Sequence, residues 1–425
     1  MLVSSTIFPR PALRALSLVR SGRPLLFWVI VTGTLFTVCI TLRHISVWIE
    51  DYAPGADYWR SYWVDPSVRN PSYQQLSHVL AFKTYVISLP RRADRRAQMD
   101  LLKDVLHVNW TYMDAVEANT SAVTTILRQV YILRSQLESR LEYGNEHVQD
   151  DVTFPVFDWP RDIETVIHSR GPLRPLGADL WTLPPSHDST DLATHASMER
   201  PHTSANMPSA KPVASVGPPP LACASGNNVS ATFSSNLPLY RHLTAAKVAC
   251  WYSHFQTIRD VANGEHEAVM VLEDDVDMEH DMDKRLQALW GALPRDWDVV
   301  YLGHCWSDES QFPPLRNISL RLPSGRMASS ALHPASAPKC THAYVLSRTG
   351  ARRIVAHLRH PPFAYSRAID QALSWLVLSR RLRAFSIVPP VVVQRKISGS
   401  DVMPGLGSAW RSRLYDGVLG GNEQT

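Results

Sequence analysis

The first strong apolar block begins at Thr84. The run Thr84-Tyr85-Val86-Ile87-Ser88-Leu89 is β-branched and aromatic and stops at Pro90, which predicts a buried strand. Behind it, Leu101, Leu102, Val105 and Leu106 form one stripe at helical spacing, with Asp94 as the expected N-cap. Trp110-Thr111-Tyr112-Met113 predicts a second short strand ending at Asp114, so strand, helix and strand open a parallel α/β sheet. Ile126, Val130, Leu133 and Leu137 predict a helix over 122–143. Thr244 opens another, with Val248, Trp251, Phe255, Ile258 and Ala262 on one face. Ala268–Leu272 is the most continuous apolar strand of the set and runs straight into Glu273-Asp274-Asp275. Further elements are expected at 284–293 (helix), 299–302 (strand), 343–346 (strand), 347–358 and 367–379 (helices) and 385–388 (strand), with a loop between the strands at 299–302 and 343–346. The alternation is that of a doubly wound α/β sheet, without internal repeats.

Two stretches depart from this pattern. From about 155 to 236, Pro, Ser, His, Thr and Asn dominate, as in GPPPLACASGNNVSATFSSN; the stretch reads as long loops inserted within the domain. At the other extreme, residues 24–42 (PLLFWVIVTGTLFTVCITL) carry no charge and correspond to about 28 Å of helix, close to a bilayer's hydrocarbon thickness. Arg10, Arg14, Arg20 and Arg23 precede the run with no acidic residue among them, so the positive-inside bias predicts a type II signal anchor. The expected organisation is a cytosolic tail at 1–23, a transmembrane segment at 24–42, a stem at 43–82 and a luminal domain at 83–425. A cleaved signal peptide fits less well, because no small-x-small site follows the run. A mitochondrial presequence is the other alternative, since residues 1–23 are rich in Arg and Ser and free of acids.

Composition adds little to this and removes one class. A formal charge of +4 with 43 Lys and Arg spread along the chain gives no basic patch for nucleic acid. Four glycosylation sequons, at Asn109, Asn119, Asn228 and Asn317, agree with a secretory lumen. Cys39 falls in the apolar run, and sequence proximity among the other four cysteines favours the pairs Cys305–Cys340 and Cys223–Cys250. Free buried thiols are the alternative.

In open α/β sheets ligands bind beyond the carboxyl ends of the strands, where Glu273, Asp274 and Asp275 stand. Strand alternation puts Glu273 and Asp275 on one face and Asp274 on the other. Neighbouring carboxylates repel, and hard oxygen donors suit Mg²⁺ or Mn²⁺, which would make a diphosphate a good leaving group. The run continues through Asp277, Glu279, Asp281 and Asp283, as a solvated acidic face would, but His280 occupies the position where a calcium-binding EF-hand loop needs glycine. Ser253-His254 invites a hydrolase reading, but adjacent helical residues do not face each other and no nucleophile elbow occurs.

Three blocks together are more specific than the acidic triplet. Tyr85-Val86-Ile87-Ser88-Leu89-Pro90-Arg91-Arg92-Ala93-Asp94-Arg95-Arg96 resembles the opening strand of glycosyltransferase family 25. Cys250-Trp251-Tyr252-Ser253-His254, followed by Val271-Leu272-Glu273-Asp274-Asp275-Val276, is similar to its central block. Thr341-His342-Ala343-Tyr344-Val345-Leu346-Ser347 with Gly350-Ala351 resembles its later block. The blocks stand in family order over about 83–400.

The resemblance implies a GT-A fold with a mixed sheet, a UDP-sugar donor (usually UDP-galactose) and inverting transfer to a hydroxyl of a glycan, protein or lipid. It implies Asp275 as the first choice for a metal, with Glu273 or Asp274 assisting, and Ser88, Arg92, Arg95 and Asp114 about the nucleotide. His342 is a candidate for phosphate or metal, a structural histidine being the other reading. Asp370, in the helix Arg367-Ala368-Ile369-Asp370-Gln371-Ala372-Leu373, matches an acidic position of the family and is the candidate general base; a surface aspartate paired with Arg367 is the alternative. Lys247 stands where the family often has an acidic residue. The expectation is a Golgi or ER enzyme using Mn²⁺ or Mg²⁺, the rival class being a non-catalytic carbohydrate-binding or scaffold protein that keeps the fold.

Overall fold

The computed structural model describes residues 82–144, 157–169, 171–183, 219–229, 231–322, 325–395, 399–403 and 414–420, all within the unit Ser67–Thr425. The expected tail, transmembrane segment and stem lie outside the described residues. Among the described residues no helix is long and apolar enough to cross a membrane.

In chain order the elements are β1 (Lys83–Ser88), α1 (Ala93–Leu106), β2 (Thr111–Asp114), α2 (Ser121–Gly144), α3 (Ile163–His168), β3 (Leu221–Ala222), β4 (His242–Leu243), α4 (Ala245–Asn263), β5 (Ala268–Glu273), β6 (Val276–Met278), α5 (Met282–Trp290), β7 (Val299–Cys305), β8 (Arg316–Arg321), β9 (Met327–Pro334), β10 (Lys339–Ser347), α6 (Arg348–Leu358), α7 (Ile369–Leu378), β11 (Ala384–Val388) and β12 (Val392–Gln394). Eight strands form one mixed sheet in the order β2-β1-β5-β10-β7-β11-β9-β8. β2, β1 and β5 are parallel, as are β7 and β11, whereas β10 runs antiparallel between β5 and β7.

That reversal positions the site. Because β10 is antiparallel, its first residues lie beside the carboxyl ends of β5 and β7: Ala343 pairs with Leu272, and Lys339 with Cys305. The ladder of β10 on β7 shifts register between Lys339 and Tyr344, an irregularity of the kind that re-aims side chains beside functional sites. α2, α4, α6 and α7 share one core with these strands, filled by Trp251, Phe255, Ile258, Val271 and Tyr344. Alternation along β5 puts Val269 and Val271 in that core, and with them Glu273 on the face that α4 covers.

Local signals explain most boundaries. Thr244 caps α4 by accepting the Lys247 amide, and Ser347 caps α6 by accepting the Gly350 amide. A β-carbon at Gly350 would overlap the Asp298 backbone, so the Gly-Ala pair of the third block allows α6 to close on the residue that leads into β7. Asp94 is not the cap of α1: Arg92 occupies that position, and Asp94 sits in the first turn paired with Arg92 at 2.9 Å.

Two expectations are corrected outright. The segment expected as loops between 302 and 343 carries the antiparallel pair β8–β9, an exposed edge strand and its half-exposed neighbour, whose polar positions dilute the apolar signal. The 155–236 stretch is not all loop either. Phe157, Ile163, Ile167, Ala178, Ala222 and Val229 are buried, and arginine side chains satisfy the backbone carbonyls that such a stretch leaves without partners. Arg352 donates to the carbonyls of Val166, Ile167, Ser169 and Gly171, and Arg134 to those of Ala222 and Ser366.

Cys305 and Cys340 form a disulfide, as proximity favoured. The other expected pair does not form: Cys223 is buried beside β4, Cys250 faces a cavity from α4, and both are free thiols.

Candidate functional site

Beyond the carboxyl ends of β5 and β7 lies a cavity of about 630 Å³. Glu273, Asp275, Arg95, His342 and Asp370 all line it, so the structure brings together five of the residues singled out in the sequence. Asp274 lines a smaller neighbouring cavity of about 120 Å³ with Leu89, Ala115 and His254, as expected for the opposite side of the triplet. Glu273 and Arg95 border both spaces.

Ser88, Arg92 and Asp114 are not brought to either cavity wall. Ser88 accepts from Arg96, which also pairs with exposed Asp114 at 2.7 Å. Arg92 pairs with Asp94 and with Asp401 of the 399–403 segment.

Of the carboxylates on the main cavity, Glu273 and Asp275 are shifted in opposite directions. Burial works against the Glu273 carboxylate, but it is overcome: the His254 ring sits 3.3 Å from its Oε1 and the Thr341 hydroxyl donates to the same oxygen at 2.8 Å, holding its pKa below the usual range. Asp275 is pushed up, first by burial and then by the negative charge of Glu273. Arg95 opposes that rise, with one guanidinium nitrogen 2.9 Å from Asp274 and 3.1 Å from Asp275. Gln394 of β12 donates to both oxygens of Asp275 at 3.2 Å.

Asp370 opens α7. Its Oδ1 accepts the Gln371 amide at 2.8 Å and its Oδ2 accepts the Cys340 amide at 3.5 Å. Burial raises its pKa, and Glu273 adds to the rise. The alternative pairing with Arg367 is not found. The Arg367 guanidinium stacks over the Phe363 ring and donates to Ser366. His342 is buried with its Nε2 3.4 Å from the Val392 carbonyl, and Gly303 makes room for it: a β-carbon there would overlap both.

Two oxygen donors opening on one cavity, with the charge of Glu273 raising the proton affinity of Asp275, are chemically suited to a hard divalent cation. Among the described residues, the one grouping of three potential ligands at metal-binding distance is Cys305, Cys340 and His342, and its two sulfurs are joined to each other. Glu273 and Asp275 would therefore supply part of a coordination sphere rather than a closed cage.

Several wall residues stand in roles that the sequence did not assign them. Lys247, Cys250 and His254 form a stripe at helical spacing on α4, and that spacing was the available signal for His254 as the partner of Glu273. Ser253 turns elsewhere, donating to the Ala249 carbonyl and accepting the Val116 amide. Lys247 is buried and donates to the carbonyls of Leu239, Tyr240 and His242, so the residue that departs from the family pattern fastens the loop before α4. Gln394 and Asp401 follow the last strand expected from the sequence, and no local pattern marks them. The continued acidic run is not a solvated face: Glu279 is fully buried, accepts the amides of Tyr415 and Asp416 and lies 3.4 Å from Arg285, while Asp277 accepts that of Leu419.

A mixed α/β sheet with paired carboxylates, an arginine and a further buried carboxylate converging on one cavity at its strand ends defines an α/β protein with a built polar ligand site. Residues 225–371 match the family profile of Glycosyltransferase family 25 (LPS biosynthesis protein). Procollagen galactosyltransferase 2 of Homo sapiens is 26% identical over 193 residues, covering 41% of this chain and 28% of that protein. Procollagen galactosyltransferase 1-B of Xenopus laevis is 26% identical over 178 residues, 37% of this chain and 26% of that protein. Probable inactive glycosyltransferase 25 family member 3 of Rattus norvegicus is 30% identical over 119 residues, 27% of this chain and 19% of that protein. Residues 225–371 thus carry the profile of glycosyltransferase family 25, and the matches span less than a third of the length of these relatives.

Proposed function

We propose that this chain is a glycosyltransferase that moves a hexose, galactose first, from a UDP-sugar to a hydroxyl acceptor with inversion. The carrying observation is the convergence of Glu273, Asp275, Arg95 and Asp370 on one cavity. Galactose is suggested by the names of the two procollagen galactosyltransferases.

In this reading Arg95 attracts the donor diphosphate from a guanidinium already oriented by Asp274 and Asp275. Glu273 and Asp275 hold Mn²⁺ or Mg²⁺, which when bound neutralises charge on the departing diphosphate. His254 and Thr341 fix the Glu273 carboxylate in place. Asp370 takes the proton of the acceptor hydroxyl as that oxygen attacks, its proton affinity raised by burial toward the range in which a base is effective.

The reading includes a type II, single-pass protein of the Golgi or ER with this domain in the lumen. It is supported by the uncharged run at 24–42, the arginines before it and a disulfide suited to an oxidising compartment.

The test uses the purified full-length chain with a panel of UDP-sugars and acceptors in the presence of Mn²⁺. Acceptor-dependent UDP release is expected, with Asp275→Ala reducing it at least a hundredfold; unchanged turnover in that variant would end the metal assignment. The relative named as probably inactive gives weight to a second reading, a carbohydrate-binding protein that keeps the fold. That reading requires glycan binding with no UDP release from any donor in the panel.

A further inference from the structure

Two large aromatic rings stand exposed at the mouth of the main cavity, Trp306 at 55% and Tyr240 at 58% exposure. An exposed indole on a loose loop would mean little, but both backbones are fastened from behind. Trp306 follows Cys305, which the disulfide ties to Cys340, and the Ser307 hydroxyl accepts the Ala337 amide at 3.2 Å. The Tyr240 carbonyl accepts from buried Lys247 at 2.9 Å. Trp306 also holds a left-handed backbone, φ +55°, and Cys340 another, φ +66°. Such conformations cost non-glycine residues on the order of 1 kcal/mol or more and are kept where surrounding structure enforces them.

The same fastening reaches the proposed base. Trp306 is linked through Cys305 and the disulfide to Cys340, whose amide donates to Asp370. The backbone that carries Trp306 is therefore tied to the residue that donates to Asp370, and both side chains line the one cavity. Gln371 and Lys339 add hydrogen-bonding groups on the same wall. A rigid apolar ring rimmed by amide and ammonium groups suits a ligand with a flat apolar face edged by hydroxyls. A pyranose has that form; an extended peptide would call for backbone donors and acceptors along the rim.

We infer that Trp306, with Tyr240, is a stacking platform for an acceptor pyranose, so that the hydroxyl delivered to Asp370 belongs to a glycan. The inference rests on the proposed function only for naming the bound sugar as acceptor. The test is saturation-transfer NMR on the full-length chain with methyl β-galactopyranoside and methyl β-glucopyranoside, alongside UDP–Mn²⁺ binding measured separately. Saturation on the ring protons of at least one glycoside is expected, weakened at least tenfold in Trp306→Ala, largely restored in Trp306→Phe, and with UDP binding within twofold in both. No saturation from either glycoside, or equal saturation in Trp306→Ala, would overturn the inference. Transfer to a hydroxyl-bearing peptide with a KM unchanged in Trp306→Ala would overturn it in favour of a protein acceptor. Glycoside binding that depends on Trp306 but without UDP binding would leave the platform standing and remove the transferase reading.

Discussion

The Thr341 hydroxyl donates to Oε1 of Glu273 at 2.8 Å, joining the start of antiparallel β10 to the end of β5. Among the described groups it shares that carboxylate with His254. Thr341→Val keeps the shape and removes the hydroxyl, leaving a buried carboxylate short of one partner. Such a loss costs about 1–3 kcal/mol. The expected outcome is a urea midpoint lowered by that amount and acceptor-dependent UDP release reduced about tenfold. Wild-type behaviour in both measurements would show that His254 alone holds Glu273.

Arg95 is the cation that offsets the Asp274–Asp275 side of the cavity, its side chain and theirs all largely buried. Arg95→Gln leaves those carboxylates without it, and breaking a buried pair typically costs about 3 kcal/mol. Donor binding should weaken more than tenfold in calorimetric titration with UDP. Unaltered UDP affinity would remove Arg95 from the donor site.

Asp370 must be ionised to accept a proton, and burial raises its pKa. Turnover at saturating substrate should therefore fall on the acid side, with its inflection above the ordinary carboxylate range. Asp370→Asn should retain UDP binding and lose at least a hundredfold in turnover. A pH profile unchanged in shape in any residual activity of that variant would assign the acid limb to another group.

The sequence carried the sheet well where strands are largely buried and poorly where much of the strand is exposed. β5 is apolar on both faces and appears as a continuous run, whereas β9 buries alternate positions and the edge strand β8 none, with Ser, Arg and Asn mixed among them. The insertion was misread for a related reason. Its order comes from carbonyls gathered by Arg352 and Arg134, and no composition count registers partners that lie 181 and 88 residues away. At the site, Glu273, Asp275 and Asp370 follow from strand ends and helix starts, which sequence marks. Asp401 and Gln394 arrive from chain that lacks periodicity, and Trp306 owes its place to a disulfide and a left-handed backbone.

Gly303 is the position on β7 where the absence of a side chain is required by the site. A β-carbon would overlap both the His342 ring and the Val392 carbonyl, and the latter is backbone that cannot swing aside. Gly303→Ala should lower stability by about 1–3 kcal/mol in a thermal melt, the range for overpacking a filled interior. Gly325, on the β8–β9 turn, has open space around its added carbon but a left-handed φ of +81°. Gly325→Ala should therefore cost only about 1 kcal/mol. Equal losses in the two variants would mean that conformation, not the His342 contact, dominates at Gly303.

His357 predicts the acid limit of the fold. It lies buried on α6 with its Nδ1 donating to the Arg353 carbonyl and its ring edge-on to Trp159. Burial lowers its pKa from 6.5 to about 4. Between those values the unfolded chain binds the proton and the folded chain does not, so stability rises with pH across that window. The contribution is complete above pH 6.5 and is lost as the pH falls toward 4, to a total of about 3 kcal/mol. Buried His304 and half-buried His360 are shifted in the same direction and add to the limb. His357→Leu should therefore flatten, without abolishing, the fall in urea stability between pH 6.5 and 4. An equally steep fall in that variant would mean that His357 binds its proton as readily in the folded chain as in the unfolded one, and that the other two histidines set the limit.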